Sequence, residues 1–206
     1  MARTDGRGEL LDAAERLFGQ EGIATVSDRR IAEAAGNTNH SAVHYYFDGR
    51  AGLLQALVQR HLDEVEPERR ERLTGSDSLL GDLRALILPL TGALAGRPAP
   101  TWRARFFDQA QHDPATMEII ATTLQSATAA ADILSSIIDR LSHLDHDVVV
   151  RRAGLMTHVI GAACAELESR AEGVAEPAEW AETGNFLCDA VAGMLQAPIS
   201  ARSSAA

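Results

Sequence analysis

The chain has no lysine: all 19 basic residues among its 206 are arginine, and they face 29 acidic residues, for a formal charge of −10. That balance excludes a nucleic-acid coat spread over the whole surface, though not a local DNA-binding face. Cysteine is limited to Cys164 and Cys188, too few for a disulfide framework or a four-ligand zinc site. Both lie in apolar helical surroundings and are expected as buried, reduced thiols. Aromatic residues make up only 4% of the chain. Stretches without charge are short, as in Ala85–Gly96 and Ile119–Ala131, and fall well below the roughly 18 residues a membrane span needs. The first nine residues carry charges but no apolar signal segment behind them. Catalytic signatures are missing too: there is no glycine-rich phosphate loop, no Gly-x-Ser-x-Gly elbow and no Cys-x-x-Cys pair. The expectation is a soluble cytoplasmic protein, neither an enzyme nor a cofactor carrier, with no membrane partner.

What is present is helix. Apolar residues make up 46% and charged residues 23%, ordinary for a globular protein, with alanine and leucine dominant. Leu10, Leu11, Ala14, Leu17 and Phe18 fall on one stripe and predict a first helix over about Arg7–Gln20, closed by Gly22. Ser27 is placed to cap a second short helix with Ile31, Ala32 and Ala35 inward, broken at Gly36-Asn37. A third, roughly Asn39–Phe47, buries Val43 and Phe47, and Asp48 is expected to cap a fourth carrying Leu53, Leu54, Leu57 and Val58. Pro67 predicts a kink or change of direction in that helix. Ser76 is read as the cap of an apolar helix over Leu79–Leu94, bent at Pro89. After the break at residues 96–100, Trp102, Phe106 and Phe107 share a short helix ending near Asp113. Pro114 opens a long helix to about His143, and two more run over Asp145–Gly173 and Pro177–Gln196. The sum is an all-α chain of about nine helices with no convincing strand.

Three short helices before longer ones read as a small head on a larger body. Within the head, helix, glycine turn and second helix form a pair whose second member has one apolar and one polar face. Such a helix fits the major groove of DNA. Val43 and Phe47 face inward, while His40, Ser41, His44 and Tyr45 face outward and have the hydrogen-bonding reach to meet base edges and phosphates.

Residues 8–58 carry Leu-x-Ala-Ala-x-x-Leu-Phe from Leu11 to Phe18, then Gly22, Val26-Ser27 and Ile31-Ala32-x-Ala-Ala-Gly. Val43-x-Tyr-Tyr-Phe and Leu53-Leu54 follow. In these motifs the chain resembles the DNA-binding head of the TetR family of bacterial transcription regulators. By the count from Gly36 to Phe47, the turn Gly36-Asn37-Thr38-Asn39 is one residue longer than the family pattern. Asn37 also replaces the small apolar residue expected after the glycine. The register at the start of the recognition helix is thus open by one residue, while Val43 and Phe47 anchor its C-terminal half.

The resemblance implies a helix-turn-helix domain over residues 1–54 and a helical ligand-binding and dimerisation domain over residues 55–200. It places His40 and His44 at base edges, with Thr38, Asn39 and Ser41 beside them, and Tyr45 and Tyr46 near the sugar-phosphate backbone. Arg50 stands where the family usually has lysine, at a helix N-terminus able to address a phosphate, and Arg29 and Arg30 could act likewise. Residues 1–60 carry seven arginines and eight acids, so few phosphates are neutralised and a modest salt dependence is implied.

The last two helices carry apolar and small residues on broad faces: Val149, Leu155, Val159, Ala162 and Ala163, then Phe186, Leu187, Ala190 and Leu195. In the family such a pair forms a four-helix bundle with a second copy, making a homodimer. The middle helices would then wall an effector pocket, with Leu86, Leu90, Trp102, Phe106, Met117, Ile120, Met156 and Val159 as candidates. Arg103, His112 and His158 are possible polar contacts. The apolar wall points to a small, mostly hydrophobic effector. His143, Asp145, His146 and Asp147 match no standard metal spacing, and Asp145 reads as a helix cap. The expected function is a homodimeric repressor released from a palindromic operator by such a ligand. The alternative is a helical small-molecule-binding protein without operator recognition.

Overall fold

The computed structural model describes residues 6–199, and among them are ten helices and no strand. They are α1 (Gly6–Glu21), α2 (Asp28–Ala34), α3 (Ala42–Phe47), α4 (Arg50–Thr74), α5 (Leu79–Ala95), α6 (Arg103–Gln111), α7 (Pro114–Leu124), α8 (Thr128–Arg140), α9 (His146–Arg170) and α10 (Pro177–Gln196). The frayed tail expected at residues 200–206 lies outside the described residues.

Helices α1 to α3 and the first turns of α4 enclose one apolar core, in which Leu10, Phe18, Ile31, Val43 and Leu53 are buried. The body has its own core, built from α5, α8, α9 and α10 around Leu83, Ile133, Trp180 and Leu187. Two elements join head to body. Helix α4 runs unbroken through Pro67, so the expected domain boundary at residues 54–55 falls inside a continuous helix. Helix α6 lends Phe106 and Ala110 to the head core. Proline inside a helix deletes one backbone hydrogen bond, yet neither Pro67 nor Pro89 ends its helix.

The expected long helix over 114–143 is two helices. Ser126 Oγ donates to the Thr123 carbonyl, and the first turn of α8 is capped from α4, where Glu66 Oε2 accepts from the Ala129 N–H at 2.8 Å. A cap supplied from 63 residues away leaves no local signal. Two expected caps also move. Asp48, in the left-handed region at φ 58°, terminates α3, and Gly49 is the N-cap residue of α4. Ser78 caps α5, while Ser76 donates to the buried Asp82 carboxylate. That carboxylate also accepts from Ser136 and Arg140, tying α5 to α8.

Helix α9 is long and apolar enough to cross a membrane, which the charge-free stretches did not anticipate, and only 28% of its apolar window is buried within the single chain. Cys164 and Cys188 are free and buried. Burial pushes the Cys164 thiol up to about 12 and the Cys188 thiol up to about 11, so both stay protonated.

Candidate nucleic-acid interface and ligand cavity

The turn before α3 is built by its own residues. Helix α2 ends in a Schellman motif: Gly36 sits at φ 69°, its N–H donates to the Glu33 carbonyl, and the Asn37 N–H reaches Ala32. Two asparagine side chains then step the chain forward. Asn37 Oδ1 accepts from the Asn39 N–H, and Asn39 Oδ1 accepts from the Ser41 N–H. The turn is thus closed within residues 36–41, and Ala42 is the first residue of α3. His40 and Ser41 therefore precede the helix rather than lying within it.

Ala42, Val43 and Phe47 seat α3 on the head core, and Thr38, Asn39, His40, Ser41, His44, Tyr45 and Tyr46 are exposed on the other side. Tyr45 is 77% exposed although it packs edge-on against Tyr46 at 5.0 Å between ring centroids. A large aromatic ring held mainly in water, beside two histidines, is what a groove-facing surface requires and what a protein core does not.

The arginines behave differently from one another. Arg29 is exposed and pairs with Glu33 at 2.8 Å, one turn along α2; Arg30 pairs with Glu21. Arg50 turns inward. Its Nη1 donates to the Val26 carbonyl at 2.8 Å and to Asp28 at 3.0 Å, its Nη2 donates to the Ile23 carbonyl, and the guanidinium lies 4.5 Å over the Phe18 ring. The phosphate role expected for Arg50 is thus not the role of its side chain here, which pins the α1–α2 loop.

Behind the head, α4 to α9 enclose a cavity of about 280 Å³. Of the expected lining, Leu86, Leu90, Met117, Ile120 and Met156 contribute; Trp102, Arg103, Phe106, His158 and Val159 do not. Adjacent residues on a helix diverge by about 100°, so Phe106 and Phe107 leave α6 in different directions. Phe107 faces the cavity, while Phe106 stacks on Phe18 of the head at 5.9 Å. Trp102 is the N-cap residue of α6 with Arg105 over its ring, His158 is exposed, and Val159 packs into the body core.

Arg103 is fully buried at the head–body junction. Its Nε meets Glu15 at 3.0 Å and its Nη1 meets Glu64. Arg60 also reaches Glu15 and Asp12, and Arg97 reaches Glu15 and Glu64. Three cations and three carboxylates close a balanced network over α1, α4, α6 and the segment before it. Burial pushes the Glu15 carboxyl up, but Arg103, Arg97 and Arg60 outweigh it and hold the group below its ordinary value.

Sequence reasoning missed four polar groups in the cavity wall: His61, Arg69, Gln111 and Thr157. His61 stands one turn of α4 from Leu57, on the buried stripe of that helix, but only the position of α6 makes it a wall residue. Its ring lies 4.7 Å from that of Phe107. Burial, reinforced by Arg103, Arg69 and Arg97, holds the imidazole well below its ordinary 6.5. The folded protein keeps His61 neutral while the unfolded chain takes up a proton below about pH 6.5. This contribution to stability is complete above that pH and is lost as the pH falls. In urea titrations between pH 7 and pH 5, His61→Leu should flatten the acid-side decline by up to about 1.4 kcal/mol per pH unit. An unchanged slope would mean that other groups carry the decline.

Among the described residues no group of three or more His, Cys, Asp or Glu side chains is placed to hold a metal. Asp145 caps α9 by accepting from the Asp147 N–H. On the last two helices Val149, Leu187 and Leu195 belong to the core of the single chain and are unavailable to a partner. Leu155, Ala162, Phe186 and Ala190 are exposed, and Ala163 is half-buried.

Residues 10–57 match the family model described as bacterial regulatory proteins, tetR family. The chain is 34% identical over 90 residues to the probable HTH-type transcriptional regulator ArpR of Pseudomonas putida, covering 43% of this chain and 42% of that protein. It is 32% identical over 81 residues to the HTH-type transcriptional repressor KstR2 of Rhodococcus jostii, covering 39% of each. The match thus spans about two fifths of these curated relatives. In fold, the chain is similar to a TetR family transcription regulator from Marinobacter aquaeolei, with a TM-score of 0.60 at 19% identity over 90% of this chain and 94% of that one.

Proposed function

We propose that this chain, which through residues 10–57 belongs to the tetR family of bacterial regulatory proteins, is a cytoplasmic, homodimeric repressor that grips a palindromic operator and is released from it by a small, mostly apolar ligand. The observation that carries the reading is the exposed polar surface of α3 and of the turn before it: His44 and Tyr45 project from a helix whose other face is locked into the head core, and His40 stands exposed just ahead of that helix. KstR2, named as a repressor, matches this chain over 81 residues, and it supports the direction of regulation. In this reading residues 1–54 bind DNA and residues 55–200 bind ligand and the second copy.

One head reads too few base pairs for specificity, and two heads about one helical turn apart solve this. The exposed apolar side chains of α9 and α10, with Phe186 at 66% exposure, supply a self-complementary surface for that pairing. It also accounts for an apolar α9 left mostly uncovered in one chain. Ligand control then requires the cavity and the head to share a mechanical element. Helix α6 is placed for this, since Phe107 lines the cavity, Phe106 packs on Phe18, and Arg103 holds Glu15 of α1. A ligand preferring one α6 position would shift the population of head arrangements.

The test is fluorescence anisotropy on DNA from upstream of the protein's own gene, at two salt concentrations and with unrelated DNA as competitor. Competitor-resistant binding at two protomers per site, or a multiple, is the expected result. With Arg29 and Arg30 already paired to carboxylates, the salt dependence should be shallow, each neutralised phosphate adding about −0.9 to the log–log slope. Phe186→Asp should give monomers in sedimentation and lose most operator affinity. Weak binding, equal on both DNAs, would favour a ligand-binding protein without operator recognition.

A further inference from the structure

Most of the cavity wall is aliphatic or aromatic, and its polar members are few enough to be examined singly. Arg69 is engaged through two of its nitrogens: Nη1 donates to Glu66 at 3.2 Å and Nε to the Leu86 carbonyl at 3.3 Å. Thr157 is exposed at the mouth and donates to no wall group. Two atoms stand out. His61 Nδ1 and Gln111 Oε1 are both fully shielded and have no hydrogen-bond partner in the protein. Buried polar atoms are ordinarily paired, and both of these belong to residues that line the cavity. His61 is only 7% exposed, so its ring is committed to this wall. The Gln111 amide is brought close by Gly161 of α9, where a Cβ would come within 2.1 Å of Nε2.

The chemistry of the two atoms restricts what can serve them. Gln111 Oε1 only accepts hydrogen bonds, so its partner must donate. A neutral imidazole nitrogen accepts in one tautomer and donates in the other. A hydroxyl group answers either atom. The charge of the wall restricts the ligand further. No aspartate or glutamate lines the cavity, and its one charged member is Arg69, so a cation entering here leaves water without gaining a counter-charge. The volume of about 280 Å³ lies at the small end of ligand pockets.

We propose that this cavity selects a small, uncharged, mainly apolar alcohol or phenol, whose hydroxyl is held at the His61–Gln111 end, and that it rejects lipophilic cations. The proposal rests on the ligand-responsive reading above and gives its effector a chemical class.

Three probes of similar shape separate the possibilities in calorimetric titrations of the full chain without DNA: 1-naphthol, naphthalene and 1-naphthylmethylammonium. 1-Naphthol should bind about tenfold or more tighter than naphthalene, the margin of one satisfied buried hydrogen bond, and the ammonium compound should not bind. In Gln111→Leu and His61→Leu the preference for naphthol should fall toward parity. Retained naphthalene binding in the same variants shows that the cavity is still folded. Equal binding of naphthol and naphthalene to the native protein would overturn the proposal, because water would then be serving both atoms. So would an absence of naphthol binding, tighter binding of the cation, or a naphthol preference untouched by both substitutions. Operator binding is measured separately, so a protein that holds naphthol but no operator defeats the regulator reading alone. One that holds operator but no naphthol defeats this proposal alone.

Discussion

Arg103→Leu should lower the stability of the protein by about 3–5 kcal/mol, the usual result of removing one partner from a buried ion pair. Arg103 has no solvent exposure and Glu15 only 5%, so the carboxylate left behind cannot be rescued by water. The network would keep Arg60 and Arg97 against Asp12, Glu15 and Glu64, one negative charge in excess. Urea denaturation at neutral pH measures the loss. Glu15→Leu in the same chain restores the balance of charge, and the double variant should be more stable than Arg103→Leu alone. A loss below about 1 kcal/mol for Arg103→Leu would show that the network is solvated in solution and contributes as little as a surface pair. The acid side carries the same signature. Because Glu15 is held below its ordinary value, its share of the stability is present above about pH 4.5 and disappears as the pH falls through its native pKa. Arg103→Leu should make that part of the decline shallower.

The second large effect is on DNA. His44→Ala and Tyr45→Ala, made together, should each remove a contact worth about 1–3 kcal/mol from each of two heads, about 4 kcal/mol or more in all and roughly a several-hundred-fold loss of operator affinity at the least. Stability should stay within about 0.5 kcal/mol of the parent, because both side chains are exposed. Arg50→Ala is expected to behave otherwise. It strips hydrogen bonds from the Ile23 and Val26 carbonyls and leaves Asp28 unpaired, so it should cost about 1–3 kcal/mol of stability as well as affinity. Anisotropy and thermal melts on the same samples separate the two patterns. Normal operator binding by the His44/Tyr45 variant would mean that α3 does not present the reading face.

The head was readable in the sequence because its information is local. Leu10, Leu17 and Phe18 repeat at helical spacing, Ser27 caps α2 through the Arg30 N–H, and Gly36 supplies the positive φ that ends it. The same holds for α10, whose bounds Pro177 and Gln196 were read directly from a helix-opening proline and the apolar stripe behind it. The exposed polar face of α3 follows from burying Val43 and Phe47 on the opposite side. The cavity was only half readable. Leu86, Leu90, Met117, Ile120 and Met156 were found by being apolar in the middle helices, a property shared with ordinary core residues such as Val159. Nothing local distinguishes Phe106 from Phe107, or marks His61 and Gln111 as wall residues.

The sequence by itself determined the helical class, most of the helix boundaries, the helix-turn-helix and the side of α3 that faces solvent. Each of these depends on side chains within a few residues of one another along a 3.6-residue period. Only the tertiary structure decided where α7 stops and α8 starts, which way the Arg50 guanidinium points, and that Arg103 is a buried structural cation rather than a ligand contact. It also decided which apolar residues of α9 and α10 remain exposed on the single chain. Those outcomes depend on partners 20 to 90 positions apart, such as Glu66 with Ala129, Arg50 with Ile23 and Arg103 with Glu15. Contacts at that separation leave no periodic trace in the chain, and exist only once packing has brought the helices together.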